Sequence, residues 1–291
     1  MDFLIHPQTK KQAESFIKLP SHALAIRGDQ GAGKGSVAKF IVAGVLHAPI
    51  EKISEHPYVY IIEAKNSKIG IDEVRALQTF LKLKVPGGSA IKRAAILENI
   101  DYLRHEAQNA LLKTLEEPPE DTIILTTFSQ RSRVLQTIHS RMQQVSVLPV
   151  ELEYGQDILS GQFNKDSINK AYYMSGGQPG LMMAILNDQQ SHELVSAISD
   201  ARRIIEMSRY ERLSIVDKLT KDKNAKPELL LEGLYRLISA AYKNSLASSA
   251  TKTTESSKLY INRLKALESS INDLQENVQA KLVFSRLFME L

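Results

Sequence analysis

The chain has 291 residues, of which 43% are apolar and 24% are charged, and its formal net charge is +4. This profile excludes a fibrous, collagen-like or wholly disordered chain and predicts a soluble globular protein with room for two or three cores. Because the sequence has no cysteine, a disulfide, a thiolate nucleophile and a Cys-ligated zinc or iron-sulfur site are all excluded.

The sequence indicates neither a signal peptide nor a membrane span. Charged side chains such as Asp2, Lys10 and Glu14 interrupt the first 20 residues, and no later run reaches the roughly 18 apolar residues that a membrane helix needs. We therefore expect a cytoplasmic protein that does not contact a membrane.

Short β-rich runs alternate with longer helical patterns through the first half of the chain. The runs are residues 23–27, 58–63, 93–97, 122–127 and, more weakly, 144–147. Apolar residues repeat every three to four positions in two of the intervening segments, one of which must end at Glu117 because Pro118 and Pro119 follow it. This alternation predicts a parallel five-stranded sheet with crossover helices.

Beyond Val150 the pattern is helical to the end of the chain. It is interrupted at residues 176–180, at 221–227 and at the Ser/Thr-rich stretch 247–257, which we expect to be a mobile loop. The final stretch, Leu259 to Leu291, is predicted to be one helix with a near-heptad apolar repeat. A helix of a bundle is favoured over a two-stranded coiled coil, because the repeat barely exceeds four heptads.

A glycine-rich motif follows the first predicted strand and opens a helical pattern, which is the context of a P-loop. Gly28, Gly31 and Gly33 allow such a loop to turn its amides around phosphates, and Lys34 adds a positive charge. The alternative, a glycine-rich turn that binds no ligand, stays open at this point.

The residues with which a P-loop enzyme binds Mg²⁺ and activates water are replaced in this sequence. Gly35 stands where Ser or Thr should hold Mg²⁺, and Ser36 is one residue late, about 100° around the helix. The third predicted strand ends in Glu98 and Asn99, and an asparagine cannot accept a proton from water; Asp101 lies beyond the strand end. We expect ATP or ADP with Mg²⁺ to bind weakly or not at all, and no hydrolysis.

Further motifs occur in a fixed order: IGIDEVR at 69–75, NALLKTLEEPP at 109–119, TIHSR at 137–141, SGGQPG at 175–180 and NVQAKL at 277–282. With them the sequence resembles the bacterial clamp-loader subunits of DNA polymerase III, members of the AAA+ class. The resemblance covers nearly the whole chain. It is to the delta-prime type in particular, whose nucleotide motifs are commonly degraded and which serves as a stator.

This resemblance implies an α/β AAA+ P-loop core over residues 1–150, a small helical lid over 151–203 and an all-α collar over 204–291 that oligomerises. It implies gamma/tau-type and delta-type clamp-loader subunits as partners. Through that complex the chain would act on the beta sliding clamp and on primer-template DNA.

The resemblance also implies roles for particular residues. The family's Ser-Arg-Cys motif corresponds to residues 140–142, so Arg141 is expected to act in trans on the ATP of a neighbouring subunit, whereas Leu181 replaces the family's sensor 2 arginine. The short linker 49–57 stands where many relatives carry a zinc module, so no zinc is expected. The degenerate nucleotide site would comprise Gly28, Gly31, Gly33, Lys34, Gly35, Ser36, Glu98 and Thr127.

The alternatives to this interpretation are an active gamma-type ATPase and a stand-alone DNA-binding protein with salt-dependent affinity. The basic clusters at residues 82–84 and 131–133 are more typical of a solvated surface than of a DNA contact. His105 and Glu106 do not complete a zinc-protease motif, and we expect no metal site. The pair Glu116 and Glu117 has no explanation in the sequence.

Overall fold

The structure is a computed structural model that describes residues 4–63, 68–88, 90–129, 134–221, 226–247 and 254–291. The chain divides into two compact units between Val150 and Glu151, here called the α/β unit and the helical unit. The predicted boundary after Arg203 falls inside a helix, Glu193–Glu206, so the separate lid and collar remain a prediction.

Five parallel strands form the sheet of the α/β unit, in the order β2-β3-β4-β1-β5. They are β1 (Ala23–Arg27), β2 (Val59–Ile62), β3 (Arg93–Leu97), β4 (Thr122–Phe128) and β5 (Gln143–Ser146). The strands β3 and β4 are buried along their whole length, as expected where helices cover both faces of a parallel sheet. The predicted five-stranded parallel sheet is confirmed.

Helices cover both faces of this sheet. They are α1 (Pro7–Lys18), α2 (Lys34–Leu46), α3 (Ile71–Leu81), α4 (His105–Glu116) and the short α5 (Gln136–His139). Apolar side chains of α1 and α2 pack on one face, and those of α3, α4 and α5 pack on the other. The two amphipathic helices expected from the sequence are α3 and α4, and α4 ends just before Pro118 and Pro119 as predicted.

No strand occurs among the described residues of the helical unit. Its helices are α6 (Leu152–Leu159), α7 (Lys165–Ser175), α8 (Pro179–Leu186), α9 (Glu193–Glu206), α10 (Arg209–Lys221), α11 (Pro227–Ala247), α12 (Thr254–Gln275) and α13 (Ala280–Glu290). Gly176, in the left-handed region at a φ of 64°, ends α7 at the break that the sequence predicted.

Two expectations for the last third of the chain need correction. The segment 259–291 is two helices, because the chain turns at Asn277, whose φ is 63°, before α13 begins. The predicted loop 247–257 is helical at both ends, since Ala247 closes α11 and Thr254 opens α12. Its central residues, 248–253, lie outside the described residues.

The strand order brings three loops together at one edge of the sheet. Because β3, β4 and β1 are neighbours and parallel, their carboxyl ends lie side by side, and the segments that follow them begin at Glu98, Ser129 and Gly28. Ligands of open α/β sheets bind at such an edge. The residues selected from the sequence for a nucleotide site therefore converge at one place.

Candidate functional site

The glycine-rich loop joins β1 to α2 in a conformation that requires glycine. Its first amide, on Gly28, donates to the carbonyl oxygen of Phe128 at 3.3 Å and so ties the loop to β4. Gly31 and Gly33 adopt φ values of 84° and 86°, which residues other than glycine rarely adopt. Gly33 is the residue before α2, so the loop runs directly into a helix N-terminus, as in a phosphate-binding loop.

Lys34 is the first residue of α2 and folds back over the loop. Its ammonium Nζ donates to the carbonyl oxygens of Gly28 and Asp29, each at 3.0 Å. Burial lowers the pKa of Lys34, while the carboxylates of Asp101, Asp29 and Glu98 oppose that shift. The lysine thus supplies a cation at the loop, where phosphates bind in P-loop proteins.

Glu98 follows β3 and reaches α2. Its backbone amide donates to Ile62 at 2.8 Å, which fixes the start of the side chain at the strand end. The carboxylate lies against Gly35, with Oε1 2.5 Å from the position that a Cβ would take there. Burial raises the pKa of Glu98 and so does the charge of Glu63, whereas Lys39 and Lys34 lower it.

The other polar groups at the carboxyl ends of the strands form hydrogen bonds with one another. Asn99, at a φ of 55°, donates its backbone amide to Oγ1 of Thr127 at 2.8 Å. Asp101 accepts hydrogen bonds from the amide and hydroxyl of Ser129 at 2.8 and 3.3 Å. Ser36 is exposed in the first turn of α2. The structure therefore gathers the predicted residues and engages both Asp101 and Thr127 in holding the loops.

These residues meet only part of the requirement of a Mg²⁺-nucleotide. The loop and Lys34 have the shape and charge that phosphates need. The hydroxyl that would hold Mg²⁺ is missing at Gly35, and the carboxylate of Glu98 lies against that position instead. Asn99 offers no carboxylate to receive a proton from water, so the site lacks the group that activates water in P-loop ATPases.

Arg141 lies near the amino ends of the strands, opposite the end at which the glycine-rich loop begins. It precedes β5, whose Gln143 pairs with Leu24 near the amino end of β1, whereas the loop begins beyond the carboxyl end of β1. The four residue steps from Leu24 to Gly28 span roughly 13 Å of strand. Arg141 is therefore placed away from the loop of its own chain.

The guanidinium of Arg141 is held by two neighbours. Nη2 pairs with Oε1 of Glu116 at 2.8 Å, and Nη1 donates to the carbonyl oxygen of Thr137, also at 2.8 Å. An open cavity of about 560 Å³ lies around this pair and is lined in part by Ser21 and Gln143. Sequence reasoning missed the ion pair of Glu116, because its partner Arg141 follows α5, the next helix of the chain.

Other residues selected from the sequence have structural explanations. Met142, where the family has cysteine, is buried, and its sulfur accepts a hydrogen bond from Thr126 at 3.4 Å. Leu181 is fully buried in the core of the helical unit. Lys82 and Lys84 are exposed, and the segment 131–133 lies outside the described residues.

Among the residues that the structure describes, no cluster of histidine, aspartate and glutamate side chains could hold a metal ion. In the same part of the chain, no helix contains an apolar stretch of the length that a membrane span needs.

Comparisons with known proteins agree on one family. A family model described as DNA polymerase III, delta subunit, matches residues 7–151. DNA polymerase III subunit delta' of Pseudomonas aeruginosa is 30% identical over 179 residues, 55% of this chain and 54% of that protein. Subunit tau of Bacillus subtilis is 33% identical over 137 residues, 43% of this chain and 24% of that protein. The chain thus spans about half the length, or less, of these curated relatives.

Among solved structures, a DNA polymerase III gamma subunit-related protein from Thermotoga maritima superposes with a TM-score of 0.57 at 20% identity and covers 97% of both chains. This similarity shows the fold alone. The sheet order and the glycine-rich loop at the start of α2 define an α/β P-loop fold of the AAA+ type. Within that class the chain belongs to the delta-prime type of DNA polymerase III clamp-loader subunits.

Proposed function

We propose that this chain is a non-hydrolysing subunit of a clamp loader that supplies an arginine to the ATP site of a neighbouring subunit. One contrast carries the proposal: the chain's own nucleotide site has lost its hydroxyl and its water-activating acid at Gly35 and Asn99, whereas Arg141 is retained. Arginine suits such a role, because its guanidinium stays charged and offers a planar fork to phosphate oxygens.

The position of Arg141 supports action in trans. It lies at the amino ends of the strands, while the loop of the same chain lies at their carboxyl ends. An arginine placed there serves a phosphate of another molecule more readily than one in its own loop. The side chain is partly exposed and faces an open cavity, so a neighbouring subunit has access to it.

The partners we propose are gamma/tau-type and delta-type clamp-loader subunits, in line with the delta' and tau names of the relatives. Together they would open the beta sliding clamp and place it on primer-template DNA. Exposed apolar side chains of the helical unit, including Tyr210 and Leu282, support an assembly surface on α10 and α13.

ATP turnover of the purified chain tests the first half of this proposal. We expect no turnover near the usual enzyme range of roughly 1 s⁻¹ or above, because the loss of a general base alone removes about 10²- to 10⁴-fold of rate. The control is Lys34→Ala, which removes the cation of the loop. Turnover in that range that Lys34→Ala abolishes would favour an active gamma-type ATPase instead.

Copurification tests the second half. Mixed with untagged gamma/tau-type and delta-type subunits of its own organism, the chain should elute in one complex with them. If the chain instead elutes as a monomer without these subunits and binds duplex DNA tightly, with a steep salt dependence, the result would favour a stand-alone DNA-binding protein.

A further inference from the structure

Gly35 and Glu98 are far apart in the sequence but touch at the mouth of the glycine-rich loop. The carboxylate of Glu98 surrounds the position of a Cβ on residue 35, at 2.5 Å for Oε1 and 2.9 Å for both Cδ and Oε2. Real Cβ atoms essentially never approach other heavy atoms below 3.0 Å. Any other residue at position 35 would therefore have to push this carboxylate away.

The space that Glu98 fills is the space of the missing cation ligand. A serine or threonine at position 35 would carry its hydroxyl one bond beyond the Cβ, on the first turn of α2. The acid at the end of β3 is an aspartate in P-loop ATPases, and Glu98 is one methylene longer. A longer acid and a residue without a side chain thus complement each other in volume.

The backbone at Glu98 is fixed, and two lysines attract its carboxylate. The backbone on either side of its Cα is tied to β2 and β4, by the amide of Glu98 to Ile62 and by the amide of Asn99 to Thr127, each at 2.8 Å. Lys34 and Lys39 attract the carboxylate electrostatically, although burial and Glu63 raise its pKa. With its backbone fixed, the carboxylate can leave position 35 only by rotation about its three side-chain torsions, away from the two lysines.

We propose that Gly35 and Glu98 are a matched pair, in which the Glu98 carboxylate takes the place of the Mg²⁺-binding hydroxyl and leaves the loop unable to use Mg²⁺ in nucleotide binding. The inference rests on the proposed function, in which the chain does not hydrolyse ATP, and it adds the side chain that closes the cation position. Phosphates that enter the loop would meet Lys34 and the backbone amides without a divalent cation.

The test compares the full chain with Gly35→Ser, Glu98→Asp and the double variant Gly35→Ser/Glu98→Asp. The dissociation constants of ADP and of ATP are measured by calorimetry in excess Mg²⁺ and again in EDTA. We expect no strengthening by Mg²⁺ in the wild-type chain, and a gain of about tenfold or more by Mg²⁺ in the double variant, which regains both oxygen ligands in their usual places.

Thermal unfolding without nucleotide supplies a second readout. Alone, Gly35→Ser drives a Cβ into the Glu98 carboxylate, which must rotate away from Lys34 and Lys39, and should lower the unfolding temperature by about 1–2 °C. In the Glu98→Asp background the shorter acid leaves room, so the same substitution should have little effect. Gly161→Ser is the matched control, since a Cβ at Gly161 meets no heavy atom within 4 Å.

Three results would overturn the inference: wild-type affinity that Mg²⁺ raises tenfold or more, a double variant that gains no Mg²⁺-dependent affinity, or equal effects of Gly35→Ser in both backgrounds. These are separate from the test of the proposed function. The double variant keeps Asn99, so it should bind Mg²⁺-nucleotide without hydrolysing it, whereas turnover by the wild-type chain would contradict the proposed function alone.

Discussion

Arg93 opens β3 with its guanidinium almost wholly buried. It donates to the Asp121 carboxylate at 2.8 and 3.2 Å, to the Thr122 hydroxyl at 2.8 Å and to the carbonyl oxygens of Phe80 and Leu83 at 3.2 and 2.7 Å. One side chain therefore joins the end of α3 and the turn that follows it to the amino ends of β3 and β4. A buried cation with five hydrogen bonds is expensive to remove, because its partners stay behind unpaired.

We expect Arg93→Met to lower the free energy of unfolding by about 2–4 kcal/mol, because it leaves Asp121 and two carbonyl oxygens without their donor. Chemical denaturation measures this difference. The control is Arg75→Met, because Arg75 is exposed and pairs with exposed Asp72, so its loss should change stability by less than about 1 kcal/mol. Equal effects of the two substitutions would refute the structural role of Arg93.

The same site predicts a pH dependence. Partial burial acts to raise the pKa of Asp121, but hydrogen bonds from Arg93 and Thr122 outweigh it and hold the pKa below its ordinary value. A carboxyl whose pKa is lower in the folded state stabilises the fold above the unfolded pKa of about 4 and loses that contribution as the pH falls. The stability gap between wild type and Arg93→Met should therefore narrow below about pH 4; a constant gap from pH 7 to pH 3 would contradict this.

The ion pair between Glu116 and Arg141 is half exposed, so we expect Glu116→Gln to change the free energy of unfolding by no more than about 1 kcal/mol. An arginine held this weakly can exchange its own carboxylate for a phosphate. Glu117→Gln is the matched control on the neighbouring, exposed acid. A loss above about 2 kcal/mol for Glu116→Gln alone would make the pair a structural one and argue against an available Arg141.

At the scale of elements, the sequence predicts the sheet well and the last helix wrongly. The strands are recognised because their apolar runs are buried on both faces. The break at Asn277 is missed because Val278 and Leu282 continue the apolar repeat, yet the structure exposes both and buries Val283 and Phe284 instead. A repeat counted along the chain cannot show which of two adjacent positions faces the core.

The site shows a similar limit. The motifs at Gly28–Lys34, Glu98 and Arg141 identify the residues, because strand and loop order place them at definite edges of the sheet. The contacts of Glu98 with Gly35 and of Glu116 with Arg141 depend on side-chain reach between separate elements. Only the folded structure supplies that information.

Helices α9 and α11 approach each other closely at Gly233. A Cβ there would lie 2.5 Å from the carbonyl oxygen of Ala197, a backbone atom that cannot move without its helix. We expect Gly233→Ala to lower the free energy of unfolding by about 1–3 kcal/mol, despite the better helix propensity of alanine. Gly161→Ala, which meets open space, serves as control. An unchanged or higher stability of Gly233→Ala would show that the two helices are not packed this closely.

At the scale of the whole molecule, we expect the proposed assembly surface to bind the partner subunits through apolar contacts more than through charge. Tyr210, Leu282 and Met289 leave 83%, 62% and 54% of their surface exposed. We expect Tyr210→Ser/Leu282→Ser to keep the circular dichroism of the wild-type chain but to elute apart from the partner subunits, since apolar burial drives such association. Coelution at unchanged affinity would contradict the assignment of this surface. Deleting residues 204–291 would be a poorer test, because it cuts α9.

The measurement that tests the central claim most directly is DNA-stimulated ATP turnover of a reconstituted complex that contains Arg141→Ala or Arg141→Lys, with assembly checked by gel filtration. Arginines supplied to a neighbour contribute on the order of 10³-fold or more to its rate. We predict intact assembly with turnover lost at the adjacent ATP site for both variants, because lysine lacks the planar fork. Intact assembly with unchanged turnover would leave Arg141 a surface residue paired with Glu116 and contradict the account.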